Sequence, residues 1–330
     1  MPRNVELVLH GEPVTEGAGV RLRRMFGYYE APMFDPFLLL DDFRSDRPED
    51  FIKGFPWHPH RGIETITYIL RGDVEHGDSM GNKGVISSGD VQWMTAGSGI
   101  IHQEMPKGDA HGAMHGFQLW ANLPASHKMM EPRYRSITAA EIPVAQLPQG
   151  VTAKVIAGTA HGAAGPVTGP AADIVTDPGY LDLTIPAGVT HAHPVPHGHT
   201  AIAYVIDGTG VIIGTGGERA GATVGDGAGE TAVANRTLVL FGRPEGASPA
   251  QDGNEPGGGD ADPGDGGDSV VVRAGQDGLR LLLFTGRPLG EPVAWRGPIV
   301  MNTDAELETA FREVRAGTFI RHPTPAGLDR

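Results

Sequence analysis

Residues 66–72 read Ile-Thr-Tyr-Ile-Leu-Arg-Gly, and residues 202–208 read Ile-Ala-Tyr-Val-Ile-Asp-Gly. The two stretches are one pattern repeated 136 positions apart: a short apolar run closed by a charged residue and a glycine, as where a strand runs into a turn. The same offset carries Gly89-Asp90 onto Gly225-Asp226. Further apolar runs at residues 91–94, 117–120, 238–241, 270–272 and 279–284 are separated by Gly, Asp and Asn. Strand-length runs with turn residues between them predict an all-β chain, and the repeat predicts two copies of one β-fold in tandem, joined within residues 132–143. We place the division at 1–135 and 136–330.

One segment breaks the strand pattern. Thr303-Asp304-Ala305-Glu306 is a capping box, Leu307, Ala310, Phe311 and Val314 follow at helical spacing, and Gly317 supplies a stop. A short C-terminal helix over about 304–316 is expected, packed on a sheet of the second copy. A second exception is the run from about 244 to 269, rich in Gly and Asp and nearly devoid of apolar residues. It cannot repay the entropy of ordering and reads as a disordered loop within the second copy. Its acids do not make a calcium loop, because Gly264 stands where the third ligand after Asp260 and Asp262 is required.

The chain of 330 residues has a formal charge of -14 and no cysteine. Residues 252–268 hold five Asp and one Glu with no Lys or Arg, so they supply -6 of this and leave -8 for the rest. An acidic chain argues against direct nucleic-acid binding and against an anionic membrane surface. No apolar run is long enough to span a bilayer, and residues 1–11 lack a secretory core, so a cytoplasmic protein is expected, as a monomer. Without thiols, any metal must sit on His and carboxylate ligands.

His58-Pro59-His60 and His102-Gln103-Glu104 supply such ligands. Residues two apart in a strand share a face, so each pair can aim two side chains at one point. Two pairs on neighbouring strands of a small barrel give three imidazoles and a carboxylate, a set suited to Fe(II), Mn(II), Ni(II) or Zn(II) with positions left open. Glu64 shares the parity of His58 and His60 along a regular strand. It can replace Glu104 as ligand or accept from a ligand imidazole. His76, His111, His115 and His127 read as loop histidines without a metal role. At the repeat offset the four ligand positions become Pro194, Pro196, Leu238 and Leu240. The second copy is therefore expected to be metal-free, although His191, His193, His197 and His199 lie nearby and leave an adventitious site open.

The stretches DPFLLLDDF (35–43), FPWHPHRGIETITYILRG (55–72), GDVQWMTAGSGIIHQEMP (89–106), HGFQLWANLP (115–124) and GPIVMNT (297–303) together resemble the pirin family, a bicupin branch of the cupins. The resemblance implies two antiparallel β-barrels, with non-haem iron, Fe(II)/Fe(III), held in the first by His58, His60, His102 and Glu104, and with Glu64 outside the ligand set. Mn, Ni, Zn and Cu are the other candidates. It implies a quercetin (flavonol) 2,3-dioxygenase activity: Glu104, the catalytic residue, takes the proton of a flavonol 3-hydroxyl, and O2 opens the heterocycle with loss of carbon monoxide. Trp57, Met94, Gln118 and Trp120 are candidate pocket walls or, equally, barrel core. The alternative is a redox-responsive regulator that binds a transcription factor or metabolic enzyme according to iron oxidation state. A metal-dependent isomerase or other cupin enzyme is a third reading.

Overall fold

In a computed structural model, residues 1–214, 229–243 and 268–322 are described. Gly225-Asp226 and residues 244–267 of the expected disordered loop lie outside the described residues. The end of that loop is corrected: Asp268 and Ser269 already belong to a long strand, Asp268–Gly286.

The fold is mostly β, as two cupin-type domains with one C-terminal helix of any length. Contacts divide the chain into two compact units. One comprises Glu12–Glu141 with Glu291–Arg330, the other Met1–Gly11 with Ile142–Gly290. The change at 141/142 falls inside the expected junction. The termini, however, are exchanged relative to a single cut at 135/136. The strand Val5–Leu9 pairs with Leu238–Phe241, which ties the first residues to the second barrel. Conversely, Val300 N donates to Arg61 O at 3.1 Å, which ties the last residues to the first barrel.

In the first unit we label β1 (Val20–Phe26), β2 (Phe37–Asp42), β3 (Phe55–His60), β4 (Ile63–Arg71), β5 (Val74–Asp78), β6 (Val91–Thr95), β7 (Ile100–Pro106), β8 (His115–Asn122) and β9 (Arg133–Ile137). A larger antiparallel sheet runs β9-β6-β4-β8-β2-β1 and ends on Glu12–Glu16. A smaller one runs β3-β7-β5 and ends on Lys83–Ile86. Cross-strand register puts Asp41, Gln118, Thr67 and Gln92 in one row across the larger sheet. Directly paired residues share a face, so this is a polar row. It faces the interior, because Asp41, Gln118 and Thr67 line the barrel's cavity together with His58, His60 and Glu104 of the smaller sheet.

In the second unit we label β10 (Gly179–Ile185), β11 (Thr190–Val195), β12 (Thr200–Ile213), β13 (Leu238–Phe241) and β14 (Asp268–Gly286). Its interior is apolar, built on buried residues such as Val155, Leu183, Val205, Val239, Val272 and Leu281. The repeat is structural. Tyr68 of β4 and Tyr204 of β12 are both fully buried, and each strand lies between two antiparallel neighbours, β6 and β8 or β13 and β14.

The helix forms as its sequence dictates, over Asp304–Ala316. Thr303 and Glu306 close a reciprocal capping box, and Gly317 stops the helix in the left-handed region at φ 69°. Its buried face, Leu307 and Ala310, packs with Ile299, Met301 and Phe319. It therefore belongs to the first unit, not to the second copy where the sequence placed it. No helix among the described residues is long and apolar enough to cross a membrane. Thr303→Ala removes the cap at a cost of about 1 kcal/mol, so amide exchange across residues 304–316 should quicken roughly five-fold.

Candidate metal centre

β3 and β7 run antiparallel with His102 directly opposite His58 and Ile100 opposite His60. The two-residue spacing then turns His58, His60 and His102 to one face. Among the described residues these three form the group whose ligand atoms lie within 4.8 Å of one another. His58 Nε2 is 3.0 Å from His60 Nε2 and 3.0 Å from His102 Nε2. Two nitrogens each about 2.1 Å from one ion and at a right angle stand about 3.0 Å apart, so the spacing fits cis ligands of a single divalent metal.

The tautomers fit as well. His58 Nδ1–H donates to Pro56 O at 2.8 Å, and His60 Nδ1–H donates to Pro298 O at 3.0 Å. A carbonyl can only accept, so each Nε2 is left with its lone pair toward the partner rings. Burial disfavours the imidazolium in all three rings, most strongly in His60 and His102; charge on His58 opposes it further in both, and charge on His60 and His76 in His102. Neutral imidazole is the ligand form.

Glu104 takes a different place. The β3–β7 register shifts between His102 and Glu104, which lies opposite Phe55. Its carboxyl is buried, and Thr67 Oγ1 donates to its Oε1 at 2.9 Å. Thr67 Oγ1 is also 2.7 Å from the Gln118 side-chain amide. Burial pushes the Glu104 carboxyl up to about 7, against the opposing pull of Thr67. Glu104 thus stands on the cavity wall beside the imidazole triad, linked to the polar row of the larger sheet.

Glu64 is turned away. Register pairs it with Thr95 and Ala121, on the opposite face of β4 from Thr67. Thr95 Oγ1 donates to its Oε1 at 2.6 Å. The strand parity expected from the sequence is lost because Arg61-Gly62 interrupts the run. Gly62 has φ +78°, and a Cβ there would lie 1.9 Å from Val300 O. Only glycine fits this turn.

The histidines expected in loops divide. His111 and His127 are in turns, but His76 lies in β5 and His115 in β8. His76 is opposite Glu104 in the β5–β7 ladder and stacks on Tyr134, with centroids 5.1 Å apart. A strand without apolar alternation, Val74-Glu75-His76-Gly77-Asp78, conceals itself from pattern reading.

The cavity beside the triad measures about 610 Å3. Gln118 and Trp120 line it as expected, while Met94 lies in an apolar cluster with Ile63 and Ile100. Trp57 is 38 % exposed and is not among the lining residues. The sequence missed Thr67 and the whole contribution of residues 295–298. Trp295 and Pro298 line the cavity from β15 (Ala294–Arg296) and the turn before β16 (Ile299–Met301). The stretch GPIVMNT was a signal of this, but one without chemistry of its own, since Pro298 acts through its carbonyl.

Behind the triad the turn is held by two buried cations. Arg61 Nε donates to Ser98 O at 2.7 Å, and the guanidinium pairs with Glu313 at 2.7 Å. Lys128 Nζ donates to Gly62 O at 2.9 Å, Asn122 Oδ1 at 2.7 Å and Val300 O at 3.1 Å.

The second barrel shows what these positions become without a cage. β11 pairs with the first part of β14 as β3 pairs with β7. Val195 opposite Asp268 begins that ladder as His60 opposite Ile100 begins the first, and His193 lies opposite Val270. The counterparts of His58, His60, His102 and Glu104 are thus His193, Val195, Val270 and Val272. The fixed offset of 136 misassigned them, because Leu238 and Leu240 face Tyr204 and Ile202 as Val91 and Trp93 face Tyr68 and Ile66. Three of the four counterparts are valines of the apolar core.

Two β-barrels in one chain, one with an imidazole triad that has two buried rings and opens to a cavity, define a bicupin with a potential metal site. Family models described as Pirin and as the Pirin C-terminal cupin domain match residues 19–121 and 262–320. A pirin-like protein of Caulobacter vibrioides is 43 % identical over 323 residues, covering 96 % of this chain and 99 % of that one. A Pseudomonas aeruginosa protein provisionally named quercetin 2,3-dioxygenase is 39 % identical over 312 residues, covering 94 % and 96 %. A crystal structure of quercetin 2,3-dioxygenase from Acinetobacter baumannii superposes with TM-score 0.76 at 29 % identity, covering 97 % and 99 %. The chain belongs to the pirin family.

Metal analysis separates the roles of these residues. His60→Ala should lose the bound ion, whereas Glu64→Gln should retain it at wild-type stoichiometry. Gly62→Ala should lower stability by several kcal/mol and weaken metal uptake together, because the strained turn carries His60.

Proposed function

We propose that His58, His60 and His102 hold iron, with Glu104 as fourth ligand and catalytic base, and that the first barrel opens flavonols such as quercetin with O2. The observation that carries this is the juxtaposition of three neutral imidazoles, a buried carboxyl and an aromatic-walled cavity. A cavity of about 610 Å3 is within the range of small-molecule sites, roughly 300–1,000 Å3. The names of the Pseudomonas and Acinetobacter relatives support the substrate class. The donor set of three nitrogens and one carboxylate supports iron; Mn, Ni, Zn and Cu compete for it. On this reading the second barrel carries no catalytic metal, since valines stand at three of its four counterpart positions.

When bound, the metal supplies a Lewis acid for a hydroxyl placed on it and a redox couple for reaction with O2. The remaining work falls to the chain. Glu104 removes the hydroxyl proton, and Thr67 keeps its Oε1 in place. Trp120 and Trp295 wall the cavity in which a planar substrate would lie. The carbonyls of Pro56 and Pro298 keep the imidazoles aimed.

Protein reconstituted anaerobically with Fe(II) should consume quercetin and O2 together, followed by loss of flavonol absorbance. Glu104→Gln should lower kcat by roughly 10²–10⁴-fold. Iron uptake without turnover, with capture of a partner protein that depends on iron oxidation state, would instead establish the regulatory role. Absence of metal uptake by the wild type overturns both.

A further inference from the structure

The cage is joined to the surface by a run of aromatic rings. Trp120 stands edge-on to His60, with centroids 5.1 Å apart. Trp120 to Trp295 is 5.9 Å, Trp295 to Tyr28 is 5.6 Å and Tyr28 to Tyr29 is 5.4 Å. At such separations ring edges are at or near van der Waals contact. The exposure rises along the run: the two indoles are half-buried, Tyr28 is 59 % exposed and Tyr29 is 88 % exposed.

We propose that Trp120, Trp295 and Tyr28 form a hole-transfer path that carries an oxidising equivalent from the metal centre to the surface. The path rests on the reading of the cage as a redox-active metal site. When peroxide meets a reduced metal in the cage outside productive turnover, its O–O bond breaks and it becomes two waters by taking up two protons from solvent and two electrons, one that the metal would supply and one from the Trp120 indole. Trp295 refills Trp120, and Tyr28 refills Trp295. The Tyr28 phenol loses its proton to water and becomes a neutral phenoxyl radical. A small thiol then gives it a hydrogen atom, and two thiyl radicals couple to a disulfide. Per pass the thiol loses one electron, which reaches the oxidant, and one proton, which reaches water.

Proton inventory sets the direction. Trp295 Nε1–H donates to Gly297 O at 2.7 Å, and a carbonyl is too weak a base to take that proton. The oxidised indole therefore stays a cation and passes its hole onward. Exposed Tyr28 can release its proton to solvent, so the hole comes to rest there. The chain has no cysteine to intercept it earlier.

The test is a map of oxidative lesions, read by peptide mass spectrometry after metal content has been measured. Fe(II)-loaded wild type treated with peroxide should collect hydroxylation and dityrosine at Tyr28 and Tyr29 while His58, His60 and His102 stay intact. Trp295→Phe should reduce the tyrosine lesions several-fold and shift damage to the cage imidazoles. Tyr28→Phe, at an exposed ring that the fold does not depend on, should leave the lesions on Trp295. Zinc-loaded protein should show none of these patterns. Iron retained with a lesion map that Trp295→Phe does not change overturns the path alone, as does equal Tyr28 oxidation with zinc. Failure of the wild type to bind iron overturns the reading of the cage and the path with it.

Discussion

The pairing of β3 with β7 in one register is the constraint on which the site depends. His102 lies opposite His58, and that register brings the three imidazoles together on one face. A slip of one residue would send His102 to the other side of the sheet, because side chains alternate strictly along a strand. The register is supported from outside the two strands. Arg61 is pinned by Ser98 O and Glu313, and Lys128 gathers the carbonyls of Gly62 and Val300. Burying two cations is costly unless each is fully partnered, so these bonds fix the turn that follows His60 more firmly than a solvent-exposed hairpin would be fixed.

The returning C-terminal segment completes the barrel chemically. Pro298 accepts from His60 Nδ1, Trp295 walls the cavity and continues the aromatic run from Trp120, and the helix supplies Glu313 to Arg61. Among its described residues the same segment offers no ligand atom to the triad. Thr67 joins the two sheets by holding Glu104, so the polar row of the larger sheet and the cage of the smaller one act on a single cavity. The second barrel keeps the strand pairing but replaces the cage by Val195, Val270 and Val272. Apolar burial there does the stabilising that the first barrel sacrifices to hold imidazoles and a carboxyl in its interior.

Much of this was legible in the residues themselves. The repeat at 66–72 and 202–208 marks two structurally equivalent central strands, the H-x-H and H-x-E spacings mark the site strands, and the capping box and Gly317 mark the two ends of the helix. These are local signals, set by side-chain alternation and by hydrogen bonds spanning three or four residues. The rest is hidden where the chain departs from regularity. Gly62 resets the parity that seemed to include Glu64, and insertions between β12 and β13 defeat a fixed offset. The strand holding His76 carries no alternation to read.

By itself, then, the sequence determined the all-β class, the duplication, the helix and the identity of the three imidazoles. Only the tertiary structure decided that residues 1–11 and 291–330 exchange barrels, that Glu64 faces away, that Glu104 is held by Thr67, and that Pro298 and Trp295 complete the site. The reason is that these depend on hydrogen bonds and ring contacts between residues far apart in the chain, 238 positions for His60 and Pro298. No periodicity of two or 3.6 residues encodes a partner at that distance.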